Sequence, residues 1–452
     1  PRPPRGPQRA APADTEDSEA AHPPCTHGDE PFTEDTPLLA EVTVPKPEDR
    51  PLQFSGRWYT TYEMTSDDEG DGRDYDFLGT GLDLLWENPF ERGGGLQLDM
   101  EYDRRSVDLP DEGSESEDFL RLERLSYAWG GTREVPRAWE VGRFLQHGMP
   151  QFGVLDGLEM IHRRENGDRF GGSFGLMPEP TADFETGDDM QAAAFYRWVR
   201  GEREELTFST GVQKTWHEGD ADRDLFVADV RWYPLTGWNA AASAWVDWYS
   251  DEQAKSDGLE VTQLYAGVGH RWERTGVNVS FSKLRFPELL RREYEPVTLE
   301  QLADDEVDRV SFSGWRRVTD DVRVRARIDN WSDEDGSGGG GSIGASVTDL
   351  VGERSRANFE VFLNEGQFSD VLGGRVAFGW RTDAGFFDVA FEHGIYEQRD
   401  FEGDQEELDQ ERLRASWDLR PGEAWDLSLY AENRFGDEQD STTLGFFLQR
   451  SF

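Results

Sequence analysis

Cysteine occurs once in these 452 residues, as Cys25, so neither an intramolecular disulfide nor a cysteine-based metal cluster can form. Lysine is almost as scarce: Lys46, Lys214, Lys255 and Lys283 are the whole supply, and nearly all positive charge is arginine. No run of about 18 apolar residues exists, which excludes a transmembrane helix, and a 3.6-residue hydrophobic period is almost absent. A nucleophile elbow, zinc-ligand spacing, a phosphate loop and a haem-attachment CxxCH are all lacking, so no enzyme, metal or cofactor is expected. Positive charge is outnumbered as well. Forty-seven Lys and Arg stand against 93 Asp and Glu, a net charge of −46. Such a chain repels nucleic acid. Acid excess with little lysine suits a halophile protein facing concentrated brine, where screening tolerates self-repulsion; the alternative is a set of acidic external loops.

What the chain does have is aromatic residues, 12% against a modest 36% hydrophobic total, a balance that fits a thin-walled sheet better than a thick core. The last twelve residues, Ser441 to Phe452, place Leu444, Phe446, Leu448 and Phe452 on one parity and Gly445, Phe447, Gln449 and Ser451 on the other. This apolar strand with a terminal aromatic resembles the closing strand of bacterial outer-membrane β-barrels. The resemblance implies a bacterial outer-membrane location, with lipid as a partner.

The period-2 pattern predicts twenty-two strands, within a range of 18–24, at roughly 52–64, 75–86, 95–105, 118–130, 137–145, 157–164, 168–177, 190–200, 204–216, 222–233, 237–250, 260–273, 276–285, 306–318, 321–331, 341–351, 355–364, 370–382, 385–398, 409–420, 423–435 and 441–452. Connections after odd strands read as longer and polar, for example 66–74, 108–118, 287–305 and 399–408. Those after even strands read as tight turns, for example 165–168, 234–237 and 421–423. Loops sorted in this way define an all-β, closed antiparallel transmembrane barrel over 51–452, with longer extracellular loops and short periplasmic turns. An even count puts both ends of the barrel on the periplasmic rim, where 441–452 must pair with 423–435 and with 52–64. In 237–250, Trp238 and Trp248 bracket Ala240, Ala242, Ala244 and Val246 on one face. At ~3.3 Å per residue and a tilt near 40°, the two rings stand about 25 Å apart, the height of the apolar band.

Residues 1–50 read as a disordered, Pro- and acid-rich periplasmic tail able to engage a periplasmic partner. A start at Pro1 fits an exported chain whose leader has been removed. Within the tail, Thr36 to Pro45 loosely resembles the energy-coupling box of TonB-dependent receptors, although a strand follows where those receptors have a plug domain.

A pore works through its inward residues. Arg323, Arg325 and Arg327 lie opposite the apolar parity of Val322, Val324, Ala326 and Ile328, and Arg375, Arg412 and Arg414 repeat the pattern. Asp99, Glu101 and Asp103 do so with the opposite charge, so a basic wall is expected to face an acidic one. These groups either bind solute, with arginines holding carboxylates or phosphates bidentately, or pair with each other and stiffen the wall. His147 and His162 flank Asp156 as an acid/base or metal candidate, against the plainer reading of rim histidines. The 287–305 stretch could fold inward or stand on the surface. Gly336 to Ser342 reads as a flexible linker.

The run LRLERLSYAW (120–129), a turn, WEVGRFLQHG (139–148), an irregular loop and LDGLEM (155–160) resemble the N-terminal third of alginate-export barrels. Gly142 and Arg143 match that family's Gly-Arg-Gln motif, and Phe144 stands where it has Gln. The resemblance implies a folded-in loop after the motif and a path for an acidic saccharide or small acid, with Arg143 among the contacts. Three functions therefore stand: a channel for hydrophilic solutes, anionic ones included; a polysaccharide outlet; and a sheath around a redox partner.

Overall fold

The computed structural model describes residues 51–67, 72–109, 113–131, 135–179, 181, 184–234, 236–249, 258–287, 306–333, 336–366, 369–399, 405–437 and 440–452. The 1–50 tail, with Cys25 and the 36–45 stretch, and all of the 287–305 stretch after Pro287 lie outside them.

Twenty-two antiparallel strands follow one another in chain order. They are β1 (Gln53–Asp67), β2 (Arg73–Glu87), β3 (Gly95–Leu109), β4 (Gly113–Gly130), β5 (Arg137–Leu145), β6 (Val154–Arg163), β7 (Arg169–Pro178) and β8 (Thr186–Arg200). Next come β9 (Leu206–His217), β10 (Asp220–Trp232), β11 (Trp238–Tyr249), β12 (Gly258–Arg271), β13 (Thr275–Arg285), β14 (Glu306–Arg317) and β15 (Val322–Ser332). The last are β16 (Ser337–Thr348), β17 (Ser355–Glu365), β18 (Ser369–Thr382), β19 (Gly385–Arg399), β20 (Gln405–Gly422), β21 (Trp425–Gly436) and β22 (Ser441–Ser451). Each strand pairs with its sequence neighbours, and β22 pairs with β1 from Arg57↔Ser451 to Asp67↔Ser441, which closes the sheet. With strands ~4.8 Å apart and tilted near 40°, twenty-two of them make a wall about 44 Å across.

Exposure is inverted relative to a soluble protein. Val141, Val212, Phe226, Trp248, Ile328, Ile343, Val361 and Leu413 are exposed, whereas Gln191, Gln213, Asp229, Asp247 and Glu140 are buried. Along β11 the exposed aromatics Trp238 and Trp248 share the parity of Ala240, Ala242, Ala244 and Val246. An apolar outside between aromatic girdles, around a polar inside, is the signature of a sheet that meets lipid. Among the described residues no helix is long and apolar enough to cross a membrane, and none is needed.

Two local expectations change. Gly338, Gly339, Gly340 and Gly341 are not a linker but part of β16, in register with Trp331 to Ile328 of β15 and with Leu363 to Glu365 of β17. Backbone bonds to two ordered neighbours override the flexibility that glycine has in isolation. The 108–118 loop also shrinks, because β3 and β4 stay paired out to Leu109↔Gly113. On that rim much of the polar surplus continues as strand, and the longer connections are 146–153, 250–257 and 286–305.

Bulges tune the lining. Register shifts insert Glu123, Asp222 and Thr262 as extra residues between successive ladder pairs and place each on the same side as its neighbour Arg124, Arg223 or Gln263. The extra inward residue is polar at all three. Thr262 donates to Asp247 at 2.5 Å, and Arg223 donates to the same carboxylate at 2.5 and 3.0 Å.

The candidate lumen site

The inner parity of β1 to β4 carries Asp83, Asp99, Glu101, Asp103 and Glu123 beside Arg57 and Arg121. Asp83 stands directly opposite Asp99. Arg57 donates to Asp83, and Arg121 reaches Asp103 at 3.4 Å and Glu101 at 4.0 Å. Tyr59 lies flat over Gly81, where a Cβ would meet its ring at 2.2 Å, and so reaches toward Glu101 on the strand beyond. The three acids expected in the lining are thus together, with carboxylates in excess.

The basic wall spans β15 to β21, and most of it is an alternating belt. Arg325 donates to Glu360 at 2.8 Å, Arg375 stands 3.8 Å from Glu392, and Arg412 and Arg434 close on Glu432 at 2.5 and 2.7 Å. Arg327 pairs with Asp329 at 3.1 Å. Gly344 makes the first of these contacts feasible: it separates Arg325 on β15 from Glu360 on β17 and has no side chain to block them. Tyr430 uses the same device, lying over Gly445 of β22 to donate to Glu63 of β1. Among the described residues Arg414 has no carboxylate at ion-pair distance, and Arg323 instead packs its guanidinium 4.6 Å from the Trp315 ring centre. Pairing within the wall therefore accounts for Arg325, Arg327, Arg375 and Arg412, and leaves Arg323 and Arg414 available.

The two walls face each other only in part. Counting eleven strands round the closed sheet puts β15, with Arg323, Arg325 and Arg327, across the lumen from β4, whereas β18 to β21 adjoin β1 to β4 through β22 and stand half a circumference from β7 to β10. What lies on that opposite side is the segment 146–153, folded onto the inner wall. Met149 and Phe152 are buried against Phe195, Leu225 and Val227, and a single 3-10 turn, Pro150–Phe152, ends at Gly153, whose φ of 83° favours glycine. Polar contacts fix the rest. The His147 and Gly148 N–H groups donate to Glu159 at 2.9 and 3.0 Å, Arg197 donates to the Gly148 carbonyl at 3.1 Å, Gln151 to Asp229 at 2.7 Å and Gln213 to the Phe152 carbonyl at 3.1 Å. Its exposed tip is His147, 2.6 Å from Glu140 and 3.4 Å from Arg124. The hydrogen bond to Glu140 pushes the His147 pKa up.

Arg143 is not in the lining. It pairs with Leu125 and shares the outward parity of Trp139, Val141 and Leu145, whereas Glu140, Gly142 and Phe144 point inward. The side chain is nonetheless buried. It grips Asp156 through two 2.6 Å bonds, the carbonyls of Leu122 and Phe184 at 2.8 and 2.7 Å, and the Thr186 hydroxyl at 2.8 Å. It is a clasp where the short β5 and β6 meet the edge of the much longer β4. The histidine pair is split likewise: His162 stacks on Phe170 at 5.1 Å on the outer face, away from His147. Among the described residues no group of three or more His, Cys, Asp or Glu is placed to hold a metal.

Sequence reasoning missed the seat of the loop, formed by Glu159, Arg197, Gln213 and Asp229. Their alternation marked them as inward, but nothing local says what they bind.

The class these features define is a large closed β-barrel with an apolar outside and a charged lumen narrowed by one of its own connections. Comparison with known proteins agrees at the level of fold. The barrel is similar to the translocation pore of the P pilus usher PapC, with a TM-score of 0.52 and 10% identity over 87% of this chain and 99% of that one. It is also similar to OccK7 (OpdD) and OccK2 (OpdF) of Pseudomonas aeruginosa, with TM-scores of 0.44 and 0.43, identities of 10% and 8%, 88% of this chain covered in both cases, and 99% and 96% of theirs. Neither a family model nor a curated protein matches the sequence. The folded-in loop is present as the alginate-export likeness implies, but the outward Arg143 breaks that family's expected contact and the similar structures do not support the family.

Proposed function

We propose that this barrel is an outer-membrane channel for small hydrophilic solutes, with a preference for anions. One observation carries the reading: the seated 146–153 segment, tipped by His147, stands across the lumen from the arginine-rich strands β18 to β21. A solute passing this narrowing meets Arg124 and His147 on one side and Arg375, Arg412, Arg414 and Arg434 on the other. Their partners Glu392 and Glu432 keep the guanidinium groups extended and leave Arg414 unneutralised. Guanidinium groups exchange one carboxylate for another at little cost, so a relay of them conducts oxyanions without trapping them. Both ends of the barrel lie on the rim of short turns, which is then periplasmic.

An internal segment seated on the inner wall favours small solutes over a polymer outlet or a sheath around a protein, both of which need a clear bore. Planar-bilayer recording tests the reading: stable open currents whose reversal potential in a salt gradient indicates anion preference. An electrically silent, folded barrel, or one that selects cations, sinks it.

A further inference from the structure

We propose that Arg317, Arg323 and Arg356 form an oxyanion-binding site at the short-turn mouth of the lumen, built for a solute that carries a phosphate or carboxylate group. The inference rests on the channel reading for its biological sense, but its geometry stands alone. The last residue of β14, Arg317, lies directly opposite Arg323 of β15, and both project inward. Like charges facing each other across a strand pair repel. Nothing in the wall relieves the repulsion, because among the described residues none of the three arginines has an ion-pair partner, while Arg325, Arg327, Arg375, Arg412 and Arg434 on the same wall all do.

The three guanidinium groups line one cleft together with Ser346, Thr348, Val322, Asp320 and Asp321. Neutral contacts set two of them in place. Arg323 is held over the Trp315 ring, and Arg356 donates at 3.3 Å to the hydroxyl of Ser346, which is buried and itself donates to Asn358 at 2.7 Å. Since neither contact uses up a charge, most of each guanidinium fork remains free for a ligand. The acids of the cleft do not cancel it: Asp320 is taken by Arg274 at 2.9 Å, which leaves Asp321 against three arginines. A tetrahedral or planar oxyanion between them would receive bidentate bonds and remove the Arg317–Arg323 repulsion at once.

The test is titration of inorganic phosphate into the purified, folded barrel in detergent at low ionic strength, followed by calorimetry or phosphorus NMR line width, with succinate as competitor. Saturable binding is expected, with an affinity at least tenfold lower in R317Q, R323Q and R356Q and unchanged in R327Q, whose arginine is paired elsewhere on the wall. Displacement by succinate is expected too, and its failure overturns the carboxylate half. Unsaturable binding, or equal weakening in R327Q, overturns the site. A protein that binds phosphate yet passes no current would refute the channel and keep the site; a conducting protein without saturable binding would do the reverse.

Discussion

Replacing Phe152 by alanine should unseat the internal segment and widen the lumen. Ordering residues 146–153 costs ~8–16 kcal/mol at ~1–2 kcal/mol per residue. Burial of Met149 and Phe152, with four charge-assisted hydrogen bonds to Glu159, Arg197 and Asp229 and two neutral ones, from Gln213 to the Phe152 carbonyl and from the Ser173 hydroxyl to Gln146, returns ~10–20 kcal/mol, so the seat is favoured by only a few kcal/mol. Phe152 is 2% exposed against Leu225 and Val227, and a Phe-to-Ala change at such a site costs ~3–5 kcal/mol. That is comparable to the whole margin. At about 1.4 kcal/mol per factor of ten, the seated fraction falls from nearly complete to about half. Single-channel recording should show larger conductance and added open-state noise in F152A, with the shift of electrophoretic mobility on heating confirming that the barrel is folded. A folded F152A barrel with wild-type conductance and noise would falsify the claim that this segment is the narrowing.

The remaining expectations concern charge and wall. His147 has its folded-state pKa raised by Glu140, so its ion pair is complete below the ordinary histidine value near ~6.5 and is lost as pH rises through the raised one. Anion preference should therefore decline over that interval, and H147Q should lack the decline. Arg143→Met leaves the partly buried Asp156 with only the Thr186 hydroxyl as a side-chain partner, a change that costs ~1–3 kcal/mol; it should lower the temperature at which the barrel unfolds on a heated gel, with no effect on ion selectivity because the residue faces outward. If R143M changes selectivity, the outward assignment is wrong. Gly344→Val puts a side chain between Arg325 and Glu360 and should free both, altering selectivity as much as E360Q does; unchanged reversal potentials would show that the pair is electrically irrelevant.

The twenty-two strands were legible because lipid imposes one rule on every one of them. Alternation in β11 or β22 is read against a uniform apolar solvent, with no tertiary partner to guess. Where lipid is not the neighbour, the pattern thins. Ser114 to Asp118 carry no apolar parity because they lie beyond the band, yet backbone pairing with β3 continues through them. Arg143 was misread by motif although its parity was visible, since Trp139, Val141 and Leu145 put it on the outside. The contact of Gln151 with Asp229 spans 78 positions and leaves no local trace, so the narrowing could be suspected only as an irregular loop.

Tyr430 passing over Gly445 to reach Glu63 ties β21 to β1, with the final strand lying beneath the tie. The last strand therefore sits in a slot whose two sides also hold each other. During assembly, β22 gains this fastening only once β1 has come round to meet β21, so the tie forms with closure of the barrel and not before it. Once made, the seam resists peeling from either edge, since freeing β22 from β1 leaves the strap to be broken as well.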